Sequence, residues 1–160
     1  MADHSAVNVA YKFLQFADEE LCSLTPMQLQ KLVYIAHGWS LGILDRPLIA
    51  DTVNAWKYGP VIDSVYHHFK NFRAAPVTFS NEFVQHYVAD AGFCSTDEDL
   101  IRSVWGAYKG MTGPRLSDLT HQPGTPWYTV WNDRDGKSHY GAEIDQPTII
   151  QYYKKFFSQA

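Results

Sequence analysis

The chain has 160 residues, of which 46% are hydrophobic and 15% aromatic; this excludes disorder and lets one domain bury a core without disulfide or metal staples. Its formal charge is -4, and its basic residues gather only in clusters as short as Lys154-Lys155, so no extended field attracts phosphate and nucleic acid is not an expected partner. Cys22 and Cys94 stand apart with no zinc-ligand spacing around them, no apolar run approaches the roughly 18 residues of a membrane span, and Met1 to Ser5 hold no basic leader, so a reduced, cytoplasmic protein is expected.

Val7, Ala10, Tyr11, Leu14 and Ala17 recur at helical spacing and predict a first helix from about Ala6 to Glu20. Thr25-Pro26-Met27-Gln28 reads as the start of a second: Thr25 caps, Pro26 fits the first helical position, and Gln28 returns a bond to the cap. Leu29, Leu32, Val33, Ala36, Trp39, Ser40 and Ile43 share one face, so this helix is predicted to cross the core as far as about Leu44. Asp45-Arg46-Pro47 stops it, and Pro47 to Tyr58 holds two short extended stretches read as a small hairpin around Ala50-Asp51. Gly59-Pro60 reads as the opening of a third helix with Ile62, Val65, Tyr66, Phe69 and Phe72 inward and Asp63, His67 and Lys70 toward water.

In Ala74 to Cys94, Val77-Thr78-Phe79 and Phe83 to Val88 suit strand or helix equally, and the segment, closed by Gly92 without a clear period, is read as mostly irregular. Thr96-Asp97-Glu98-Asp99 reads as a capping signature for a helix with Leu100, Ile101, Val104, Trp105 and Tyr108 inward. Gly113-Pro114 opens a short helix carrying Leu116 and Leu119, and Pro123-Gly124-Thr125-Pro126 turns into Trp127 to Trp131, with two indoles one turn apart. Asn132 to Gly141 is the most polar loop. Asp145 and Pro147 start a last helix, about residues 146–158, whose Ile149, Ile150, Tyr153, Phe156 and Phe157 need a surface to pack on and leave a homodimer open. The predicted fold class is mainly α (α+β): a single-domain helical bundle over residues 1–160 with a small β-hairpin near residues 47–58.

Seven histidines invite an enzyme reading, and each needs a partner at reach. His37 lies at the edge of the second helix's apolar face, the place of a packed histidine. His67 follows Asp63 by one helical turn, a solvated pair. His121 ends a short helix where a cation meets the last carbonyls. No phosphate loop, nucleophile elbow or zinc-protease helix is present, so no catalytic residue, metal or cofactor is expected; a small hydrolase using His121 or His37 with Cys22 or Asp118 is the remote rival. Ala55-Trp56-Lys57-Tyr58-Gly59-Pro60-Val61 is the most informative stretch. Two large rings flank a cation beside a rigid turn, the chemistry enriched where proteins touch proteins, although alternation with Val53 and Ala55 also suits a half-buried strand.

Leu24 to Tyr34, Ala55 to Val61, and Leu116-Ser117-Asp118-Leu119-Thr120-His121 running on to Pro126-Trp127 resemble, in order and spacing, the Panacea domain family of SocA-like antitoxins and phage-associated GepA-type proteins. The resemblance covers about Val7 to Trp131. It implies a mostly helical, non-enzymatic module that neutralises a protein toxin encoded beside it. Gln30, Lys31, Trp56, Lys57, Tyr58, Pro60, His121 and Trp127 carry the family pattern and are the candidate partner-binding residues. The resemblance does not divide them into those that hold the fold and those that touch a toxin. Some relatives add a DNA-binding region for which this chain has no room. Delivery of the toxin to a protease, or action of a phage protein on a host defence factor, would use the same surface, and the segment after Asn132 is where partner-specific contacts are expected.

Overall fold

A computed structural model describes residues 3–159; residues 1, 2 and 160, the ends of the expected 1–160 domain, lie outside the described residues. Its helices are α1 (Ala6–Glu19), α2 (Pro26–Trp39), α3 (Asp63–Phe69), α4 (Asn81–Ala91), α5 (Ser95–Tyr108), α6 (Gly113–Thr120), α7 (Pro126–Tyr128) and α8 (Gln146–Ser158), with strands β1 (Asn54–Trp56) and β2 (Gly59–Val61) between α2 and α3. The class is mainly α with one small hairpin, as the periodicities imply. No helix among the described residues is long and apolar enough to cross a membrane.

α2 is the central element. Thr25 Oγ1 accepts the Gln28 N–H at 3.3 Å while Gln28 Oε1 accepts the Thr25 N–H at 2.8 Å, the reciprocal cap read from the sequence. Leu29, Leu32, Val33, Ile35 and Ala36 are almost wholly buried, and α1, α3, α5, α6, α8 and β2 all pack around them. The α-helix ends at Trp39, five residues before the expected stop, and continues as a wider π turn over Ser40–Leu44. Here α8 lies against bare backbone. A β-carbon on Gly38 would stand 2.2 Å from the Tyr153 ring and one on Gly42 2.8 Å from Tyr153 Cβ, so the two glycines are the seat for that ring.

The hairpin is present but displaced toward the C-terminus. Its register is Asn54 with Val61, Ala55 with Pro60 and Trp56 with Gly59, so the turn is Lys57-Tyr58 rather than Ala50-Asp51. Gly59-Pro60 begins the second strand and not a helix, which starts only at Asp63. Gly59 has φ +119, a conformation that suits a residue without a β-carbon, and the missing N–H of Pro60 falls on the outer edge of β2 where no ladder bond is lost. The other edge of β1 meets the stretch before α8, with Ala55 N–H donating to the Ala142 carbonyl at 2.8 Å and Ile144 N–H to that of Val53 at 2.7 Å. On α3, Val65 and Phe69 are buried, but Tyr66 is 44% exposed and faces outward.

Two further departures lie at α4 and α5. The segment read as irregular contains α4, capped by Ser80 and closed by Gly92 in the left-handed region; Val84, Tyr87, Val88 and Ala91 form a short apolar stripe along it, of which only Val84 is fully buried. It gains its place by laying Tyr87 flat on Tyr11 of α1, ring centres 4.0 Å apart. α5 begins at Ser95, with Cys94 rather than Thr96 at its N-cap position, and buried Asp97 in its first turn holds His4 Nε2 at 3.0 Å and Arg46 Nη2 at 2.7 Å. Of the two leucines on α6, Leu116 is buried and Leu119 is exposed, and Trp127 and Trp131 stack on each other at 5.4 Å.

Candidate functional site at the hairpin and its groove

The outer edge of the hairpin is bonded by side chains rather than by a third strand. On β2 and the residue after it, alternate backbone groups point away from β1 toward α2. The Pro60 carbonyl accepts from Lys31 Nζ at 2.7 Å, and Gln30 spans Ile62, taking its N–H at 2.8 Å and giving to its carbonyl at 3.2 Å. Around the turn, the Ser117 hydroxyl of α6 donates to the Tyr58 carbonyl, and Trp127 Nε1 donates to the Trp56 carbonyl at 2.6 Å. Three helices therefore fix the path of a seven-residue stretch, Trp56 to Ile62, by five side-chain bonds.

These bonds divide the eight candidate residues. Gln30, Lys31, Pro60 and Trp127 are buried and hold the hairpin. His121, half-buried, caps α6: its Nδ1–H meets the Ser117 carbonyl, and its ring stands edge-on to Trp127 with centres 5.3 Å apart. Trp56 is half-buried, while Lys57 and Tyr58 face solvent at the tip, Tyr58 with 65% of its surface exposed. Lys57 Nζ lies 5.5 Å from the centre of the Tyr58 ring. Lys31 pairs with no carboxylate among the described residues, and burial pushes its amine down to about 7.

A groove of about 570 Å³ opens beside the tip. Its walls come from the start of α2 (Pro26, Met27), the hairpin (Trp56, Tyr58, Val61) and α3 (Val65, Tyr66), with the Trp56 ring edge-to-face on Tyr66 at 5.0 Å. Lys31, Lys57, Lys70 and Arg73 complete it. A second groove of about 440 Å³ lies on the other side of the hairpin, between Trp56, Trp131 and Tyr140. Sequence reasoning singled out the tip but missed Ser117 as a bonding partner and Met27, Tyr66, Lys70 and Arg73 as walls. Ser117 stood inside a family segment; the four wall residues carry no local signal, because only the docking of α3 against α2 brings them together.

Two of the histidines have their rings bonded to neighbouring elements, and a third pairs on the surface. His37 is buried, its Nδ1 accepting the N–H groups of Leu48 at 3.3 Å and Ile49 at 3.5 Å, and burial lowers its pKa to about 4. His68 meets the Tyr11 hydroxyl at 2.8 Å, and His67 pairs with Asp63 at 3.5 Å on the surface. Cys22 is exposed and Cys94 precedes α5; among the described residues no three His, Cys, Asp or Glu side chains gather as a metal would require.

Fold and site together define a helical domain that clamps a short hairpin from behind and turns its aromatic, cationic side to solvent. The family model "Antitoxin SocA-like, Panacea domain" matches residues 29–128, and the chain belongs to that family, which supports an antitoxin role. It is similar to "Antitoxin SocA" of Caulobacter vibrioides (strain NA1000 / CB15N), with 29% identity over 138 residues that cover 82% of this chain and 72% of that protein. No solved structure gives a significant match.

Proposed function

We propose that this chain is a cytoplasmic antitoxin that neutralises a protein toxin encoded by a neighbouring gene through direct contact, without catalysis. The observation that carries the reading is the division of labour at the hairpin. Buried Gln30, Lys31 and Trp127 spend their polar groups on its backbone, and this leaves Lys57 and Tyr58 displayed at a tip whose conformation is already set. Displaying a preorganised aromatic and a cation lowers the ordering cost of binding a protein partner.

The test is co-expression with the neighbouring toxin. Changing Lys57 and Tyr58 together to Ala is expected to abolish rescue of growth while moving Tm by no more than about 2 °C, since neither side chain packs in the core. Retained rescue would remove the tip from the contact. Toxin half-life measured in the same cells is expected to be unchanged by the antitoxin; a shortened half-life would point to delivery to a protease.

A further inference from the structure

The groove beside the hairpin concentrates the cations that the rest of the molecule leaves unpaired. Of thirteen Lys and Arg side chains, Lys12, Arg46, Arg102, Lys109, Arg134 and Lys154 are each paired with a carboxylate. Of the other seven, which pair with no carboxylate among the described residues, Lys57, Lys70 and Arg73 are exposed and line this one groove; Lys31, whose buried amine is already bonded to the Pro60 carbonyl, lies at its floor, and no Asp or Glu lines it. Acidic residues outnumber basic ones seventeen to thirteen, so composition alone would have supplied partners. With no carboxylate in its walls the groove carries uncompensated positive charge, an arrangement that favours an anionic occupant.

Two other features fit an occupant that is also apolar. Between the cations, Met27, Trp56, Tyr58 and Tyr66 expose thioether and ring faces to the groove. At its rim Arg73 is held at φ 55, ψ -117, a conformation that a β-carbon disfavours, with its N–H tied to the Lys70 carbonyl at 3.0 Å. Backbone strain of this kind persists where the surrounding structure imposes it, and it fixes the direction of the chain beside the groove.

We propose that this groove receives an acidic segment of the partner polypeptide, centred on one large apolar side chain. That side chain seats against Trp56, Tyr58, Tyr66 and Met27, and flanking carboxylates meet Lys57, Lys70 and Arg73, with Lys31 at the floor. The proposal rests on the reading that the chain acts by binding a protein. A single-stranded nucleic acid also stacks on aromatic rings, but it needs a cationic track along its backbone. Here the cluster is confined to the groove, on a chain whose net charge is -4.

The test uses the full chain and fluorescein-labelled peptides read by anisotropy: glutamates around one central tryptophan, the same peptide with glutamines, and the same with lysines. The glutamate peptide is expected to bind saturably, roughly tenfold or more tighter than the glutamine peptide, and to weaken as salt shortens the Debye length from roughly 14 Å to 5 Å. Lys70→Glu with Arg73→Glu, both exposed, is expected to reverse the preference toward the lysine peptide with Tm unchanged. Equal binding of glutamate and glutamine peptides, tighter binding of an oligothymidylate, or no saturable binding overturns the proposal. So does loss of the glutamate peptide in the charge-reversed variant with toxin rescue intact, a result that leaves direct neutralisation standing. Peptide binding as expected, with no complex between the purified chain and the toxin, leaves the groove standing and removes the proposed function.

Discussion

Lys31 places a primary amine beneath the hairpin with the Pro60 carbonyl as its acceptor, and burial lowers its pKa from 10.5 to about 7. In the unfolded chain the same amine keeps its proton to near pH 10.5. Between pH 7 and 10 the unfolded state therefore binds more protons than the folded one, and stability rises with pH by up to about 1.4 kcal/mol per unit. The window closes above pH 10, where burial holds Tyr11, Tyr34 and Tyr153 protonated in the folded chain and the sign reverses. Urea denaturation is expected to show a midpoint rising from pH 7 to 9, and Lys31→Met is expected to flatten that rise. His37 obeys the same rule in acid. Its folded pKa is lowered to about 4 from 6.5, because the nitrogen that accepts from Leu48 and Ile49 is buried, so its stabilising contribution is complete above pH 6.5 and lost as pH falls toward 4. His37→Leu is expected to be less stable at pH 7, for want of the acceptor, yet less sensitive to pH between 4 and 6.5. Equal slopes in variant and parent would assign the acid loss to other groups.

The hairpin shows how an element of two three-residue strands holds its shape: donors from α2, α6 and α7 take the carbonyls of Trp56, Tyr58, Pro60 and Ile62. Gly59 is its weak point, since φ +119 disfavours a side chain and a β-carbon there would stand 3.0 Å from Lys31 Nζ. Gly59→Ala is expected to cost about 1–3 kcal/mol, seen as a fall of several degrees in Tm, and to weaken rescue of toxin-arrested cells by shifting the tip. A stable variant with full rescue would show that the turn's conformation is not required. How far such an element can be read beforehand depends on whether its signals are local. α1 announces itself through its apolar spacing, α2 through its cap, and α6 and α8 through an early proline, at positions close to those observed. The hairpin's register does not, because Lys57-Tyr58 is not a usual turn pair and Gly59-Pro60 looks like a helix start. α4 carries a cap at Ser80 and a stripe of Val84, Tyr87, Val88 and Ala91, but the stripe is short and lies beside Val77 and Phe79, which read equally as strand, so its period is easily passed over. For the groove, Trp56, Lys57 and Tyr58 stand out in the chain as adjacent rings and charge, whereas Lys70, Arg73 and Tyr66 acquire meaning only once α3 turns back against α2.

The segment that matches the family, residues 29–128, leaves out α1 and α8, and both are structural parts of one core. α1 supplies Tyr11, Phe13 and Phe16, each wholly buried, and α8 supplies Ile149 and Tyr153, the latter lying directly on Gly38 and Gly42. The stretch before α8 also covers the free edge of β1 through Ala142 and Ile144. Each large apolar side chain so removed leaves a gap in the core worth about 2–5 kcal/mol, and a domain's whole stability is only about 5–15 kcal/mol. A fragment limited to residues 29–128 is therefore expected to lack a cooperative transition. It should show helical far-ultraviolet dichroism with weak near-ultraviolet signal and bind a hydrophobic dye, while the full chain melts in a single step. The same fragment should fail to protect cells from the toxin, because its hairpin has lost one of its two supporting edges. A sharp calorimetric peak from the fragment, with van't Hoff and calorimetric enthalpies in agreement, would instead make α1 and α8 dispensable cladding and place the whole binding body within residues 29–128.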